Sequence, residues 1–350
     1  MGYPEYCSIQ GNTSRFSEFS KQQSINLKTT QSMPQKLDPE AAQLLQIRKE
    51  FGAPDIADCT VKEARNIYTS MPTWLQGRAA EVGSVEDLQL DGQNGSFGVR
   101  IYTPPESSES PRPVLVYLHG GGWVIGNLDT HDGVCRHFCT NGNWVVVSVD
   151  YRLAPEAPFP QAVEDSWTAV QWVYANIDAR GGNPEQITVG GDSAGGNLAA
   201  VVAHRARDRG EFRLAAQVLI YPATDMTCAL ESHQRNGEGY LLTCHSIDWF
   251  LGHYLPVGHD RRDPEASPHF ASDFRDLPPA VLVTAGFDPL LDEGHAYGEK
   301  LSAASVVVVE RCWEGMIHGF ITNLGLMPQA NQCLDWIVTE VGALTTSSSK

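Results

Sequence analysis

The segment Val189-Gly190-Gly191-Asp192-Ser193-Ala194-Gly195-Gly196-Asn197 sets one serine between glycines, directly after an apolar run at 186–189. A serine hydroxyl becomes a useful nucleophile when it projects from a tight strand-to-helix turn. Glycines are needed there because a Cβ would collide with the packed strand or helix. This G-x-S-x-G pattern predicts a nucleophile elbow with Ser193 at its tip, although alone it is equally compatible with a glycine-rich loop.

A second glycine motif lies upstream, where the apolar run 113–118 leads into His119-Gly120-Gly121-Gly122-Trp123. Backbone N–H groups of consecutive glycines can approach a ligand closely, as the donors of an oxyanion hole must. His119 precedes the serine and lies beside these donors. We therefore interpret it as a residue that orders the loop, and not as the catalytic base.

An acid and a histidine follow the serine in the chain order typical of this turn. The apolar run 280–286 leads to Asp288, and 306–311 leads towards Gly315-Met316-Ile317-His318-Gly319-Phe320. Ligands of open α/β sheets bind at the carboxyl ends of the strands, so both side chains are expected beside Ser193.

Together these segments resemble the hormone-sensitive-lipase-like (bacterial family IV type) carboxylesterases of the α/β-hydrolase superfamily. The resemblance covers about residues 37–342 and follows the family's order of motifs. The motifs are His119-Gly120-Gly121-Gly122-Trp123, Asp150-Tyr151-Arg152-Leu153-Ala154-Pro155-Glu156, Gly191-Asp192-Ser193-Ala194-Gly195-Gly196, Asp288-Pro289-Leu290-Leu291-Asp292-Glu293-Gly294 and Gly315-Met316-Ile317-His318-Gly319-Phe320. One stretch departs from the family: Ser302-Ala303-Ala304-Ser305 stands where such proteins often carry a glycine turn.

The resemblance implies a nucleophile, a base and an orienting acid, together with three oxyanion donors. These are Ser193, His318 and Asp288, with the N–H groups of Gly121, Gly122 and Ala194. The implied substrates are small-molecule esters with short- to medium-chain acyl groups, and no cofactor is implied. Residues beside the motifs are predicted as substrate-pocket walls, although aromatic side chains there are nearly as often core: Trp123, Asp192, Tyr221, Leu242, Phe287 and Phe320.

The predicted fold class is α/β: an α/β-hydrolase fold with a mostly parallel sheet of about eight strands, flanked by helices and covered by a helical cap. Short apolar runs alternating with helical patterns indicate this sheet. The strands are predicted near 79–90, 98–102, 113–118, 144–149, 187–190, 215–220, 280–285 and 306–310.

Domain limits follow from composition and from one long insertion. Residues 1–36 are polar and predicted to be a flexible extension. Residues 37–75 form the predicted first cap segment and 224–258 the second, and the catalytic domain occupies 76–223 and 259–345. Helix starts are predicted at Asp38-Pro39 and at Thr60-x-x-Glu63, a capping-box pattern.

Composition narrows the classes of partner. A formal net charge of −17 and a pI near 5.0 argue against binding nucleic acid or an anionic membrane surface. No apolar run approaches the ~18 residues that cross a bilayer, and the N-terminus lacks signal-peptide regions, so a cytoplasmic protein is expected. The eight cysteines are expected to be free thiols.

Three alternatives stay open at this stage. His131, Cys135 and Cys139 share helical spacing that could hold zinc, but no fourth ligand is evident, and no metal is predicted. A non-catalytic receptor of the gibberellin-receptor kind would show a damaged triad, and a related dehydratase would carry threonine at position 193.

The run Val306-Val307-Val308-Val309 predicts an edge strand through which the chain forms a homodimer.

Overall fold

The computed structural model describes residues 36–105, 108 and 110–347, and within them eight strands form one sheet. The predicted extension 1–36 therefore lies outside the described residues, except for Lys36. The strands are β1 (Ser84–Gly92), β2 (Gly95–Thr103), β3 (Arg112–Leu118), β4 (Val145–Asp150), β5 (Gly182–Asp192), β6 (Ala216–Ile220), β7 (Ala280–Phe287) and β8 (Val308–Ile317). Their order is β1-β2-β4-β3-β5-β6-β7-β8. The pairs β1–β2 and β2–β4 are antiparallel and all the others are parallel, which confirms the predicted α/β-hydrolase sheet.

Helices cover both faces of this sheet. They are α1 (Pro39–Glu50), α2 (Val61–Thr69), α3 (Thr73–Gln76), α4 (Asp132–Gly142), α5 (Gln161–Asn176), α6 (Ala194–Arg209), α7 (Glu231–Asn236), α8 (Cys244–Tyr254), α9 (Leu291–Ala303) and α10 (Pro328–Ser347). On β3, Val114 and Val116 face the layer of α5, α6 and α9, whereas Leu115 and Tyr117 face α4 and α10. Both sets are buried, as expected for a strand whose run is apolar at every position.

Both predicted helix starts in the first cap segment are confirmed. Helix α1 begins at Pro39 directly after Asp38. Helix α2 begins with a complete capping box, in which the Thr60 N–H donates to Glu63 Oε2 at 2.9 Å and the Glu63 N–H donates to Thr60 Oγ1 at 3.3 Å. Two donors that the helix itself cannot satisfy are thereby paired.

The two cap segments touch each other. The second cap segment carries α7 and α8, and the Thr243 hydroxyl at the start of α8 donates to Asp55 Oδ2 of the first cap segment at 2.7 Å. A Cβ on Gly122 would overlap the ring of Phe250 on α8, so α8 also packs closely on the predicted oxyanion loop.

Strand β8 lies at the edge of the sheet, where the valine run was expected, but its limits differ from the prediction. It begins at Val308 and continues to Ile317. Val306 and Val307 lie between the strand and a turn in which Ser305 has φ +66°, a conformation that glycine adopts more easily. The predicted strand limits were too short because the rest of β8 carries charged residues.

Two further observations concern the chain as a whole. Among the described residues, no helix combines the length and apolarity needed to cross a membrane. The seven cysteines of the described region are all free thiols.

Candidate active site

Ser193 lies at a strained turn between β5 and α6. Its φ of 56° and ψ of −118° are unusual for a residue with a side chain, so the surrounding packing must hold the turn. A Cβ on Gly191 or on Gly195 would overlap the carbonyl oxygen of Leu118 on the neighbouring strand β3. The glycines of the motif therefore permit the close approach that lets the serine hydroxyl project.

Ser193, His318 and Asp288 form one chain of hydrogen bonds. His318 Nε2 lies 2.8 Å from Ser193 Oγ, and His318 Nδ1 lies 2.7 Å from Asp288 Oδ2. The Leu290 N–H donates to the other carboxylate oxygen, Asp288 Oδ1, at 2.8 Å. Asp288 is fully buried and follows β7, while His318 follows β8, so the structure brings together the three residues that the motifs predicted.

The glycine loop after β3 bends sharply beside Ser193. Gly121 and Gly122 have φ values of +122° and +58°, and the Ile125 N–H closes the turn on the Gly121 carbonyl at 2.9 Å. Gly121, Gly122 and Ala194 line the same cavity as Ser193. Within the described part of the chain, none of their three N–H groups has an acceptor, so these groups are free to bind an anion.

Asp192 ties the elbow to this loop. Its Oδ1 accepts hydrogen bonds from the Tyr117 hydroxyl at 2.7 Å and from the Gly120 N–H at 2.9 Å, and His131 Nε2 lies 3.2 Å away. Burial acts to raise the pKa of Asp192, but attraction to His131 and the hydrogen bonds from His131 and Tyr117 outweigh it and lower the pKa. The ionised carboxylate can thus fix the glycine loop against Ser193.

His119 contacts the loop backbone and not Ser193. Its Nδ1 donates to the Gly120 carbonyl at 2.8 Å, and its ring stacks on Tyr151 with the ring centroids 4.3 Å apart. Burial, with a smaller contribution from His131, lowers the pKa of His119 to about 4. A neutral, fully packed imidazole fits the loop-ordering interpretation.

The zinc alternative at α4 finds no support in the contacts of His131. Its Nε2 faces Asp192, and its Nδ1 lies 2.9 Å from Thr130 Oγ1. Among the described residues, no three His, Cys, Asp or Glu side chains converge to hold a metal ion.

A cavity of about 400 Å³ opens above Ser193, and both cap segments contribute to its lining. Most lining residues are apolar, including Ile47, Phe51, Tyr68, Leu242 and Phe250. This composition suits an uncharged organic group next to the serine.

Of the predicted pocket walls, Trp123, Asp192 and Leu242 line this cavity, whereas Tyr221, Phe287 and Phe320 do not. Tyr221 lies beneath the His318 ring, with the ring centroids 4.7 Å apart, and Phe320 packs against Tyr221 in the core. The ring of Phe287 packs on Tyr240, with centroids 5.1 Å apart. The prediction is corrected for these three residues, which do not line the cavity; Tyr221, with Phe320 packed against it, supports the His318 ring.

Comparison with known proteins agrees with this geometry. A family profile described as the alpha/beta hydrolase fold matches residues 115–322. The esterase LipI of Mycobacterium tuberculosis is 43% identical over 255 residues, which are 71% of this chain and 78% of that protein. An ethyl acetate hydrolase of Pseudomonas putida is 37% identical over 281 residues, 79% of this chain and 88% of that protein. A hyperthermophilic esterase of the archaeon Pyrobaculum calidifontis superimposes with a TM-score of 0.81 at 39% identity, over 88% of this chain and 99% of that chain.

The chain belongs to the hormone-sensitive-lipase-like family of carboxylic ester hydrolases. The resemblance stated from the motifs is thereby confirmed.

This hydrolase also carries a buried ion pair at the cavity that sequence reasoning missed. His233 Nε2 lies 2.8 Å from Glu293 Oε2, and Glu293 Oε1 accepts from the Thr224 N–H at 2.6 Å. Burial raises the pKa of Glu293. For His233, burial acts to lower the pKa, but the hydrogen bond that its ring donates to Glu293 and the attraction to that carboxylate outweigh burial and raise the pKa. Glu293 stands within the Asp288 motif, but no pattern in the sequence signalled its partner 60 residues away.

Proposed function

We propose that this hydrolase cleaves carboxylic esters through a serine acyl-enzyme. The single observation that carries the proposal is the continuous hydrogen-bond chain from Ser193 Oγ through His318 to Asp288, at 2.8 and 2.7 Å. A weak nucleophile is activated when a base lies within hydrogen-bond distance and is itself oriented by a third group.

In the proposed first half of the reaction, His318 Nε2 takes the proton of Ser193 as Oγ attacks the ester carbonyl. The negative charge that develops on the carbonyl oxygen is held by the N–H groups of Gly121, Gly122 and Ala194. His318 then passes the proton to the leaving alcohol, and Asp288 holds the imidazole in the required tautomer throughout.

In the second half, water repeats the sequence on the acyl-enzyme. His318 takes a proton from the water, the resulting hydroxide attacks the acyl carbon, and Ser193 Oγ leaves with the returned proton. The products are the free carboxylic acid and an unchanged Ser193.

The proposed substrates are esters of short- to medium-chain acids. The cavity is apolar and has a volume of about 400 Å³, enough for a small ester but enclosed by both cap segments. The name of the Pseudomonas putida relative, ethyl acetate hydrolase, supports small esters as well. We include the cap in this proposal: the two cap segments exclude water from the serine and shape the acyl site.

The receptor and the dehydratase are less well supported as functions. A receptor on this fold has no use for an intact triad, and here Ser193, His318 and Asp288 are all in hydrogen-bond contact. The dehydratase reading expected threonine at position 193, where this chain has serine.

We also propose a cytoplasmic location. The seven free cysteines of the described residues are typical of a protein that folds in a reducing compartment.

Ser193→Ala tests the proposal directly. Turnover of a p-nitrophenyl ester is expected to fall by a factor on the order of 10⁶ with the fold unchanged by circular dichroism. Ser70→Ala is the matched control, because Ser70 also lines the cavity but lies outside the triad. More than a tenth of the wild-type rate in purified Ser193→Ala protein would discard the nucleophile assignment.

A further inference from the structure

The short helix α7 of the second cap segment is docked on the loop that carries Asp288. The Ser232 hydroxyl donates to the Pro289 carbonyl at 2.6 Å, and the Ser232 N–H donates to Asp292 Oδ2 at 2.7 Å. On the solvent side, Arg235 forms an ion pair with Asp292 at 3.0 Å. The acid loop is therefore held from the cap as well as from the sheet.

Asn236, the last residue of α7, spans the backbone at the acid itself. Its Nδ2 donates to the carbonyl of Gly286 at 3.2 Å and to the carbonyl of Asp288 at 3.0 Å, and the side chain is only 4% exposed. Carbonyl oxygens can only accept, so these two contacts require the amide NH₂ group, and not its oxygen, to face the loop. One side chain thus bridges both carbonyls around Phe287.

This bridge lies where the regular pairing of β7 with β8 is interrupted. The pairing of β7 with β8 shifts register between Ala285 and Phe287, so Gly286 lies in the irregular part of the ladder. Beyond it, the Asp288 carbonyl accepts from the N–H of Leu291, the first residue of α9, at 3.2 Å. Asn236 is therefore a tie from outside the loop to the backbone of Asp288.

We propose that Asn236 is a positioning residue for the triad acid, an inference that rests on the proposed function. By fixing the Gly286 and Asp288 carbonyls, it holds the Asp288 carboxylate in line with His318 Nδ1. The second cap segment then supplies part of the catalytic alignment, in addition to roofing the cavity.

The test compares Asn236→Ala and Asn236→Ser with the matched control Arg235→Gln. Arg235 also links α7 to the chain after Asp288, but through the side chain of Asp292 in the first turn of α9 and in solvent. For the Asn236 variants we expect kcat on a p-nitrophenyl ester to fall about tenfold to a hundredfold, because small misplacements of catalytic groups have effects of this size. KM should stay within about twofold, since Asn236 does not line the cavity. Arg235→Gln should keep the wild-type kcat.

Assays run well below the melting temperature of every variant separate positioning from stability. A purely structural Asn236 would lower the melting temperature and leave the kcat of folded protein at the level of Arg235→Gln, and that result overturns the proposal. Asn236→Ser leaves a smaller void and serves if Asn236→Ala does not fold. Ser193→Ala, assayed in parallel, separates failure of the proposed function from failure of this inference. An active Ser193→Ala enzyme refutes both. An inactive one leaves the proposed function standing, whatever the Asn236 variants show.

Discussion

Asp288, in the loop after β7, and Asp292, in the first turn of α9, lie four residues apart, yet their carboxylates have different partners. Asp288 is fully buried and contacts His318 and the Leu290 N–H. Asp292 contacts the Ser232 N–H and the exposed guanidinium of Arg235. Burial and contact with the imidazole, rather than acidity as such, distinguish the proposed triad acid.

We therefore predict a much larger loss of kcat for Asp288→Asn than for Asp292→Asn. Asp288→Asn should reduce kcat by a factor on the order of 10⁴, because an amide favours the wrong tautomer of His318. Asp292→Asn should keep kcat within about tenfold and cost stability of about 1 kcal/mol, the size of one exposed ion pair and a hydrogen bond. Steady-state kinetics on both purified variants checks this, and the reverse ranking would mean that the acid is misassigned.

At the scale of elements, the two cap segments form the walls of the cavity above Ser193. The first contributes α1 and α2, and the second contributes Leu242 and the α8 residue Phe250, whose ring lies over Gly122. Neither segment belongs to the sheet, so a change in the first segment can alter the pocket while the hydrogen bonds of the triad persist, whereas the second segment also contacts the backbone of Asp288 through Asn236.

Deletion of residues 1–72 tests this arrangement. The deletion removes apolar side chains that line the cavity and exposes the apolar side chains of α8 beneath them. We therefore expect aggregation, or a folded enzyme with altered acyl-chain preference and lower kcat/KM. The lining residues removed are Leu44, Ile47, Phe51, Ile67 and Tyr68.

The control is deletion of residues 1–32, which leaves the described lining of the cavity intact and should leave kcat/KM unchanged. Hydrolysis rates over esters of increasing acyl length provide the measurement. Unchanged rates for a soluble 73–350 fragment would show that the first cap segment does not shape the pocket.

At the scale of the whole molecule, two buried histidines make the fold sensitive to acid. Burial lowers the pKa of His119 to about 4, and burial with the nearby charge of Arg207 lowers the pKa of His204 to about 4, from the usual 6.5. Between pH 6.5 and about 4 the unfolded chain binds protons at these positions that the folded chain does not. The free energy of unfolding therefore falls as the pH decreases through this window.

His204 lies on α6 away from the site, so it allows a clean measurement. Lowering the pH from 7 to 4 should destabilise wild type more than His204→Phe, by up to about 3 kcal/mol in the free energy of unfolding. The reason is that unfolded wild type binds a proton at position 204 in this range, whereas phenylalanine cannot. Urea denaturation at several pH values measures it. The control is Leu301→Ala, at a buried residue that does not titrate, which should be destabilised by the same amount at every pH. A difference between His204→Phe and wild type that did not change with pH would contradict the prediction.

The edge strand β8 leads to a proposal about assembly. It pairs with β7 on one side, while the neighbouring Val307 is 58% exposed. An unpaired strand edge favours pairing with a second copy of the chain. We propose a homodimer through β8.

Light scattering at micromolar concentration should accordingly give the mass of a dimer. Arg311→Glu adds a like charge beside Glu310 on β8 and should shift the equilibrium towards monomer. Val85→Glu on β1, at the opposite edge of the sheet, is the control and should leave the mass unchanged. A monomeric wild-type chain would remove the proposal.

Sequence patterns located strands well where the whole strand is an apolar run, and poorly where polar residues interrupt it. Strands β3, β4, β6 and β7 lie close to their predicted limits because a strand buried on both faces is a continuous apolar run. Strands β5 and β8 extend beyond their predictions, since Asn183 and Glu185 on β5, and Glu310 and Glu314 on β8, interrupt the apolar pattern at exposed or partly exposed positions.

Local sequence was sufficient for the residues whose role depends on a turn. The glycines at 191 and 195 predict the elbow because only glycine tolerates the approach of the Leu118 carbonyl, and the strand ends predict where Asp288 and His318 meet Ser193. Contacts between distant segments left no such mark. The pairing of His233 with Glu293 and the bridge from Asn236 to Asp288 join residues about 50 to 60 positions apart, and they exist because the second cap segment folds back onto the acid loop. A turn constrains its own residues through sterics, whereas a long-range hydrogen bond depends on where two separately stable elements come to rest against each other.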